Sequence, residues 1–194
     1  MNEQVPEFHK EDEDLSWVRE FQTGNTDAFN WLVLRHKNRV FNICYRFLGI
    51  YEDADDCAQE TFVKMYRSLS KFRMESKFST WLFRIAINTC KNQVVSKEYK
   101  LKKNTRHLDP ILEGKLGDDS HHPEEELHRK TQQEKIQKCI DKLSGEHRIA
   151  VVLRDIDGMA YEEITRIIKQ SLGTVKSRLA RARQQLRKCL QGTL

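Results

Sequence analysis

The chain has 194 residues, with 34 Lys+Arg against 29 Asp+Glu for a formal net charge of +5, and it is 38% apolar and 32% charged with only 8 Gly and 3 Pro. Such a mixture excludes a collagen-like or disordered chain, has room for one ordinary domain or two small ones, and favours helix. No apolar run approaches the roughly 18 residues of a membrane span, and the acidic start MNEQVPEFHKEDEDLSW lacks the basic-then-apolar pattern of a secretory signal, so the expected location is the cytoplasm.

Residues 1–14 hold six acids against one Lys and read as an acidic N-terminal arm. From residue 15 to 96 the apolar residues recur at helical period. Phe29, Leu32, Val33, His36, Val40, Ile43, Cys44 and Phe47 form one stripe, Ala54, Cys57, Ala58, Phe62, Met65 and Leu69 a second, and Trp81, Leu82, Ile85, Ala86 and Thr89 a third. Three or four packed helices are predicted here, the last starting near Ser79 or Thr80. Residues 97–130 lose apolar content, carry Pro110, Gly114, Gly117 and Pro123, and hold seven acids between 109 and 126; they read as a flexible acidic linker. Helical patterning resumes at 131 and runs to about 190. The fold class expected is therefore all-α, with two small helical domains, 15–96 and 131–194, and no strand.

In the second domain, Tyr161–Lys169 predicts a short helix with Ile164, Ile167 and Ile168 inward. Gln170 to Gly173 break the period, and Thr174 is the expected N-cap of a longer helix with Val175, Leu179, Ala182, Leu186 and Leu190 on one stripe. A short helix, a tight turn and a longer basic helix make a helix-turn-helix, whose second helix reads the major groove. Residues 165–194 contain eight bases and no acid, which points to a polyanion. Lys176, Ser177, Arg178, Arg181 and Arg183 project from its non-core faces.

In the first domain, KFRMESKFSTWLFRIAINTCKN (71–92) interleaves aromatics with bases. Rings that stack on unpaired bases and cations that hold phosphates suit single-stranded nucleic acid. Phe72, Arg73, Lys77, Phe78, Arg84, Asn88 and Asn92 are candidates, though Phe72 and Phe78 fit an aromatic core equally well. The stretch EDADDCAQE (52–60) holds five acids and no base. Asp53, Asp56 and Glu60 fall at i, i+3 and i+7, a spacing that suits a basic protein partner or, as an alternative, a Mg²⁺-dependent nucleic-acid enzyme. Other readings of the whole chain are a plain DNA-binding regulator and an adaptor that touches no DNA. Cys44, Cys57, Cys90, Cys139 and Cys189 show no C-x-x-C spacing, and with His107, His121, His122 and His128 they form no zinc-ligand set. They are expected to be reduced and mostly buried, and no metal or other cofactor is called for.

DADDCAQETFVKMYRSLSKFR (53–73), FSTWLFRIAINTCKN (78–92) and YEEITRIIKQSLGTVKSRLARAR (161–183), in that order across a tether, resemble bacterial RNA polymerase sigma factors of the extracytoplasmic function (ECF) class. The resemblance implies two helical domains, region 2 and region 4. It implies that Asp53, Asp56, Gln59 and Glu60 dock on core RNA polymerase. It places the loop from Phe72 to Phe78 where a flipped −10 base is captured, with Arg84, Asn88 and Asn92 facing the opened strand. Thr174, Lys176, Ser177, Arg178, Ala180 and Arg181 match positions at the −35 element, and the acidic linker is similar to the segment that threads toward the RNA exit path. The partners implied are core polymerase, promoter DNA and an anti-sigma factor, often membrane-anchored in the family, with no small-molecule substrate and no catalytic residues of its own. One departure is Ser171-Leu172, where the family often has Pro in the turn.

Overall fold

The computed structural model describes residues 7–95 and 123–192. Among them every regular element is helical. Helix α1 spans Glu7–Gln22, α2 Asp27–Leu48, α3 Tyr51–Leu69 and α4 Phe78–Val95. The second half holds α5 (Pro123–Asp141), α6 (Gly145–Val151), a π-helical turn that continues it (Val152–Ile156), α7 (Tyr161–Ile168) and α8 (Leu172–Leu190).

The predicted apolar stripes are the packed faces. Leu32, His36, Val40, Ile43, Cys44 and Phe47 of α2 are buried, as are Ala54, Cys57, Ala58, Met65 and Leu69 of α3 and Leu82 and Ala86 of α4. Gly49 ends α2 in the left-handed conformation (φ 74°), and its N–H donates to the Tyr45 carbonyl, a cap that glycine adopts without strain. This turn lets α3 fold back antiparallel on α2.

Four boundaries differ from expectation. Residues 7–14 are no arm: α1 begins at Glu7, and Asp14 packs inside the first bundle, 5% exposed. The second half begins at Pro123 rather than 131, with proline at the first helical position, where its missing N–H costs nothing. The rest of the expected linker lies outside the described residues. Helix α4 starts at Phe78. The N-cap of α8 is Ser171, not Thr174: the Ser171 hydroxyl accepts from the Thr174 N–H at 3.2 Å, so Leu172 and Gly173 already belong to the helix. The turn before it is made by Lys169 in the left-handed region (φ 53°).

The cysteines depart as well. Cys44, Cys57 and Cys90 are free and buried, but Cys139 and Cys189, 50 residues apart, form a disulfide between α5 and the end of α8. The spacing gave no sign of it because the two sulfurs meet only through packing of α5 on α8.

The two halves share one continuous core. Helix α4 packs on α7, and α2 touches α5, α6 and the π turn. Arg148 is 4% exposed and ties the halves together. Its guanidinium donates to the carbonyls of Ile140, Asp141 and Leu143 and, across the boundary, of Phe47. Arg39 makes a two-bond pair with Asp157 at 3.1 and 2.8 Å, and Lys77 reaches Glu163 at 3.2 Å.

Candidate nucleic-acid interface

Helix α8 is positioned by its buried stripe Val175, Leu179, Ala182 and Cys189 against α6, α7 and α5. That orientation is what frees the opposite side. Lys176, Ser177, Ala180 and Arg181 are all exposed and follow one another at i, i+1, i+4 and i+5, a single continuous face. Thr174, half-buried, sits at its N-terminal end with its hydroxyl 2.9 Å from that of Ser171. Arg178 is turned toward the domain instead, paired with Glu146 at 2.9 Å. Arg183 is likewise held by Asp155 through two bonds, which raise its guanidinium pKa above the ordinary value. The basic helix thus divides its cations between structure and a free face. The free face has the dimensions and chemistry of a major-groove reading helix: an Arg and a Lys for base edges or phosphates, and small residues that permit close approach.

The loop between α3 and α4 carries a second surface. Arg73, Glu75 and Lys77 are exposed, whereas Met74 is half-buried in the left-handed region (φ 57°), uncommon for a residue with a side chain. The expectation of exposed rings at Phe72 and Phe78 is corrected. Phe78 is 2% exposed and Phe72 is buried. Their rings pack with Trp81 at centroid separations of 4.8 Å for Phe72 and 5.8 Å for Phe78, and Phe78 also lies 5.3 Å from the His36 ring. Burial of rings of this size is the larger energetic term, so they hold the loop from beneath. Asn88 and Asn92 are exposed and Arg84 is half-buried; at i, i+4 and i+8 on α4 they form one polar stripe leading away from the loop.

A cavity of about 210 Å³ opens at the loop, lined by Asp14, Leu15, Met74, Glu75, Ser76, Lys77, Phe78 and Ser79. It is smaller than the usual small-molecule site of roughly 300–1,000 Å³. Asp14 was visible in the sequence only as one acid among six. The signal that could have found it is His36, a polar residue on an apolar stripe, which needs a buried partner. That partner is Asp14, with Oδ2 at 2.8 Å from His36 Nε2.

Helix α3 offers the acidic face. Asp56, Gln59 and Glu60 are exposed, Gln59 bonded to Asp55 at 2.8 Å and Glu60 paired with Lys64 at 2.8 Å. Asp53 is not on that face: it is 2% exposed and points into the bundle. It is therefore removed from the docking set, and with it goes the carboxylate trio of the nuclease alternative, since Asp56 and Glu60 point outward and Asp53 inward. Among the described residues no group of three or more His, Cys, Asp or Glu is placed to hold a metal ion, and no helix is long and apolar enough to cross a membrane.

Comparison with known proteins gives three consistent findings. Residues 32–98 match the family described as Sigma-70 region 2, and residues 133–186 match Sigma-70, region 4. The chain is 35% identical to the RNA polymerase sigma-H factor of Pseudomonas aeruginosa over 95% of its own length and 97% of the relative's. It is 34% identical to the ECF RNA polymerase sigma-E factor of Escherichia coli K12, over 88% of this chain and 91% of the other. Among solved structures it is similar to CnrH in complex with the cytosolic domain of CnrY, with a TM-score of 0.66 and 27% identity, covering 94% of this chain and 99% of that one. The sigma factor RpoE of Bartonella quintana, solved with the anti-sigma factor NepR, shares the fold at a TM-score of 0.65 and 22% identity, over 84% and 96% of the two chains.

Proposed function

Since the chain belongs to the ECF class of bacterial RNA polymerase sigma factors, we propose that it divides promoter recognition between the two surfaces just described, α8 for the −35 duplex and the α3–α4 loop with α4 for the opened −10 strand. As a sigma factor it binds core RNA polymerase, directs it to specific promoters and promotes their melting. Bond formation belongs to the polymerase.

The observation that carries this reading is the exposed face of α8. Lys176, Ser177, Ala180 and Arg181 lie together on the second helix of a helix-turn-helix, while Arg178 and Arg183 of the same helix are paired with Glu146 and Asp155. Asp56, Gln59 and Glu60 are the residues we assign to the polymerase, because an acidic helix face suits a basic partner. Arg73, Lys77, Arg84, Asn88 and Asn92 are assigned to the −10 strand. The cavity at the loop would receive one unstacked base, at an unstacking cost of a few kcal/mol that its contacts must recover. Phe78 lines that cavity and Phe72 supports it from the core.

The contacts between halves bear on regulation. Lys77, a −10 candidate, is paired with Glu163 of region 4. A −10 and a −35 element are read at separate places on a promoter, so the halves must part for both to be engaged. An anti-sigma factor that holds the chain inactive in the cytoplasm fits a molecule with a compact and an extended state, and CnrH was solved in complex with the cytosolic domain of CnrY.

The test is run-off transcription with purified chain, bacterial core polymerase and a randomised promoter library. Enrichment of two motifs at fixed spacing is the expected outcome, and Arg181→Ala is expected to relax the upstream motif alone. Transcripts indistinguishable from those of core polymerase would overturn the assignment.

A further inference from the structure

We propose that Asp14 sets base specificity in the loop cavity: its carboxylate accepts a hydrogen bond from the exocyclic amino group of an unpaired cytosine or adenine and excludes thymine and guanine in the same pose. This rests on the base-capture reading of the loop and adds a residue from α1, outside the stretch 32–98 that matches region 2.

Asp14 is a buried acid on the wall of a cavity. Both its oxygens are partly used. Oδ1 accepts from Arg35 Nη1 at 3.2 Å, and Oδ2 contacts His36 Nε2 at 2.8 Å. A carboxylate has about four acceptor sites, so capacity remains for a ligand in the cavity. The two partners also fix where the carboxylate points. Arg35 lies 4.1 Å from the Trp17 ring centroid and pairs with Glu13 as well. His36 is held against the rings of Phe78 and Phe83, at 5.3 and 6.3 Å. An acceptor held this way loses little freedom when a ligand arrives. Arg35 also offsets the repulsion between Asp14 and an approaching nucleic-acid backbone.

The rest of the cavity suits a single base. Met74 supplies an apolar floor, packed against the core from its left-handed backbone. Lys77 stands at the rim as a cation for phosphate once released from Glu163. Cytosine offers its N4 amino group and adenine its N6 amino group, both donors; thymine O4 and guanine O6 are acceptors at the corresponding position. An acceptor-only carboxylate therefore discriminates by hydrogen-bond polarity.

The test uses the full chain with core polymerase on premelted promoter templates built from the motifs that the library selection returns. 2-Aminopurine placed beside each −10 position in turn identifies the base that unstacks. At that position, cytosine is compared with 2-pyrimidinone and adenine with purine, analogues that lack only the amino group. With the wild-type chain, loss of the amino group is expected to weaken binding roughly 10-fold to 100-fold, and the cytosine and adenine arms show which base is native. Asp14→Asn, whose amide can donate, is expected to move the preference at that one position toward thymine or guanine. An unstacked base whose amino group can be removed with less than about a 2-fold effect would overturn the role of Asp14 while leaving base capture intact. Absence of unstacking at every position would overturn base capture and this proposal with it. The analogue arm requires no substitution, so a poorly folded Asp14→Asn chain does not blunt the test.

Discussion

Two arginines of the second half test whether burial or pairing governs the stability of this fold. Arg148 is 4% exposed and donates to four carbonyls, those of Phe47 (2.5 Å), Asp141 (2.6 Å), Ile140 (3.1 Å) and Leu143 (3.2 Å). Three of these close the turn between α5 and α6, and the fourth reaches the first bundle. Truncation by Arg148→Ala leaves all four acceptors without that donor in a site the protein encloses. Each bond to a charged group contributes about 1.5–3 kcal/mol. Neighbouring losses are not additive and water can enter at a helix end, so the expected total is roughly 3–5 kcal/mol. Arg183 has the more conspicuous ion pair, two bonds to Asp155, but its side chain is 48% exposed. Solvent screening holds such a pair below about 1 kcal/mol. Chemical denaturation separates the two, and the sequence supplies a domain-specific probe. All three tryptophans (Trp17, Trp31 and Trp81) lie in the first bundle, while circular dichroism reports both halves. Arg148→Ala is expected to lower the dichroism midpoint by much more than the tryptophan midpoint, and Arg183→Ala to move neither appreciably. Equal effects of the two variants, or an Arg148→Ala cost under about 1 kcal/mol, would refute the argument from burial.

Other consequences follow from the same contacts. In denaturant without reductant, thiol titration should count three groups, Cys44, Cys57 and Cys90, and reduction should raise the count to five. Opening the 50-residue loop between Cys139 and Cys189 should destabilise the second half by up to about 4 kcal/mol on the chain-entropy account, read as a lower melting temperature with reductant. Cys57 should alkylate before Cys90 as pH rises, by mass spectrometry. Its hydrogen bond with Cys90 lowers its pKa and so enlarges its thiolate fraction, whereas bonds with Cys44 and Cys57, with burial, push Cys90 well up. Arg181→Ala should weaken binding to the −35 duplex by about 1–3 kcal/mol in a titration at fixed salt, while Arg178→Ala should act mainly on stability through Glu146. Charge reversal by Asp56→Lys should reduce binding to core polymerase in a competition assay without lowering the melting temperature, because Asp56 is exposed.

What the sequence disclosed and what it withheld follow one division. Periodicity reports which side of a helix is apolar, so the stripes of α2, α3 and α4, most of that of α8 and the exposed set Lys176, Ser177, Ala180 and Arg181 were legible, whereas Leu190, expected on the α8 stripe, is exposed. It does not report what a stripe meets. Phe72 and Phe78 stand among bases in the chain, and composition alone could not say whether the rings or the cations turn outward; packing on Trp81 and His36 decides it. Asp53 shares a charge block with Asp56 but falls one face further round, in line with Cys57 and Ala54, and the bundle takes it. Ser171 and Thr174 are both good caps three residues apart, and propensity does not choose between them; the observed bond from the Thr174 N–H does. The contacts Asp14–His36, Cys139–Cys189 and Arg148–Phe47 span 22, 50 and 101 positions, distances at which no local pattern carries information.

The boundary between the halves bears on the proposed change from a chain compact alone to one extended on a promoter. Its polar contacts are unequal. Arg39 to Asp157 and Lys77 to Glu163 place half-exposed cations, 48% and 45%, against acids of the other half. Each contributes at most about 1 kcal/mol and weakens with salt. The contact from Arg148 to the Phe47 carbonyl is buried, yet three of the four bonds of that guanidinium lie within the second half and survive separation. Gly49 sits at the same boundary, where a Cβ would fall 2.5 Å from the Asp141 carboxylate in a backbone of positive φ. Interfaces between halves of one chain commonly resemble transient protein–protein contacts, and although the apolar core runs through this one, the polar ties across it are weak. Gly49→Ala should therefore loosen the boundary before it unfolds either bundle. The measurement is a distance distribution between spin labels on exposed positions of α3 and α8, expected to broaden to longer values in the variant. It should broaden in the same direction when core polymerase binds the wild-type chain. A wild-type distribution unchanged by polymerase would show that the halves work as one rigid body and that both promoter elements are reached without parting them.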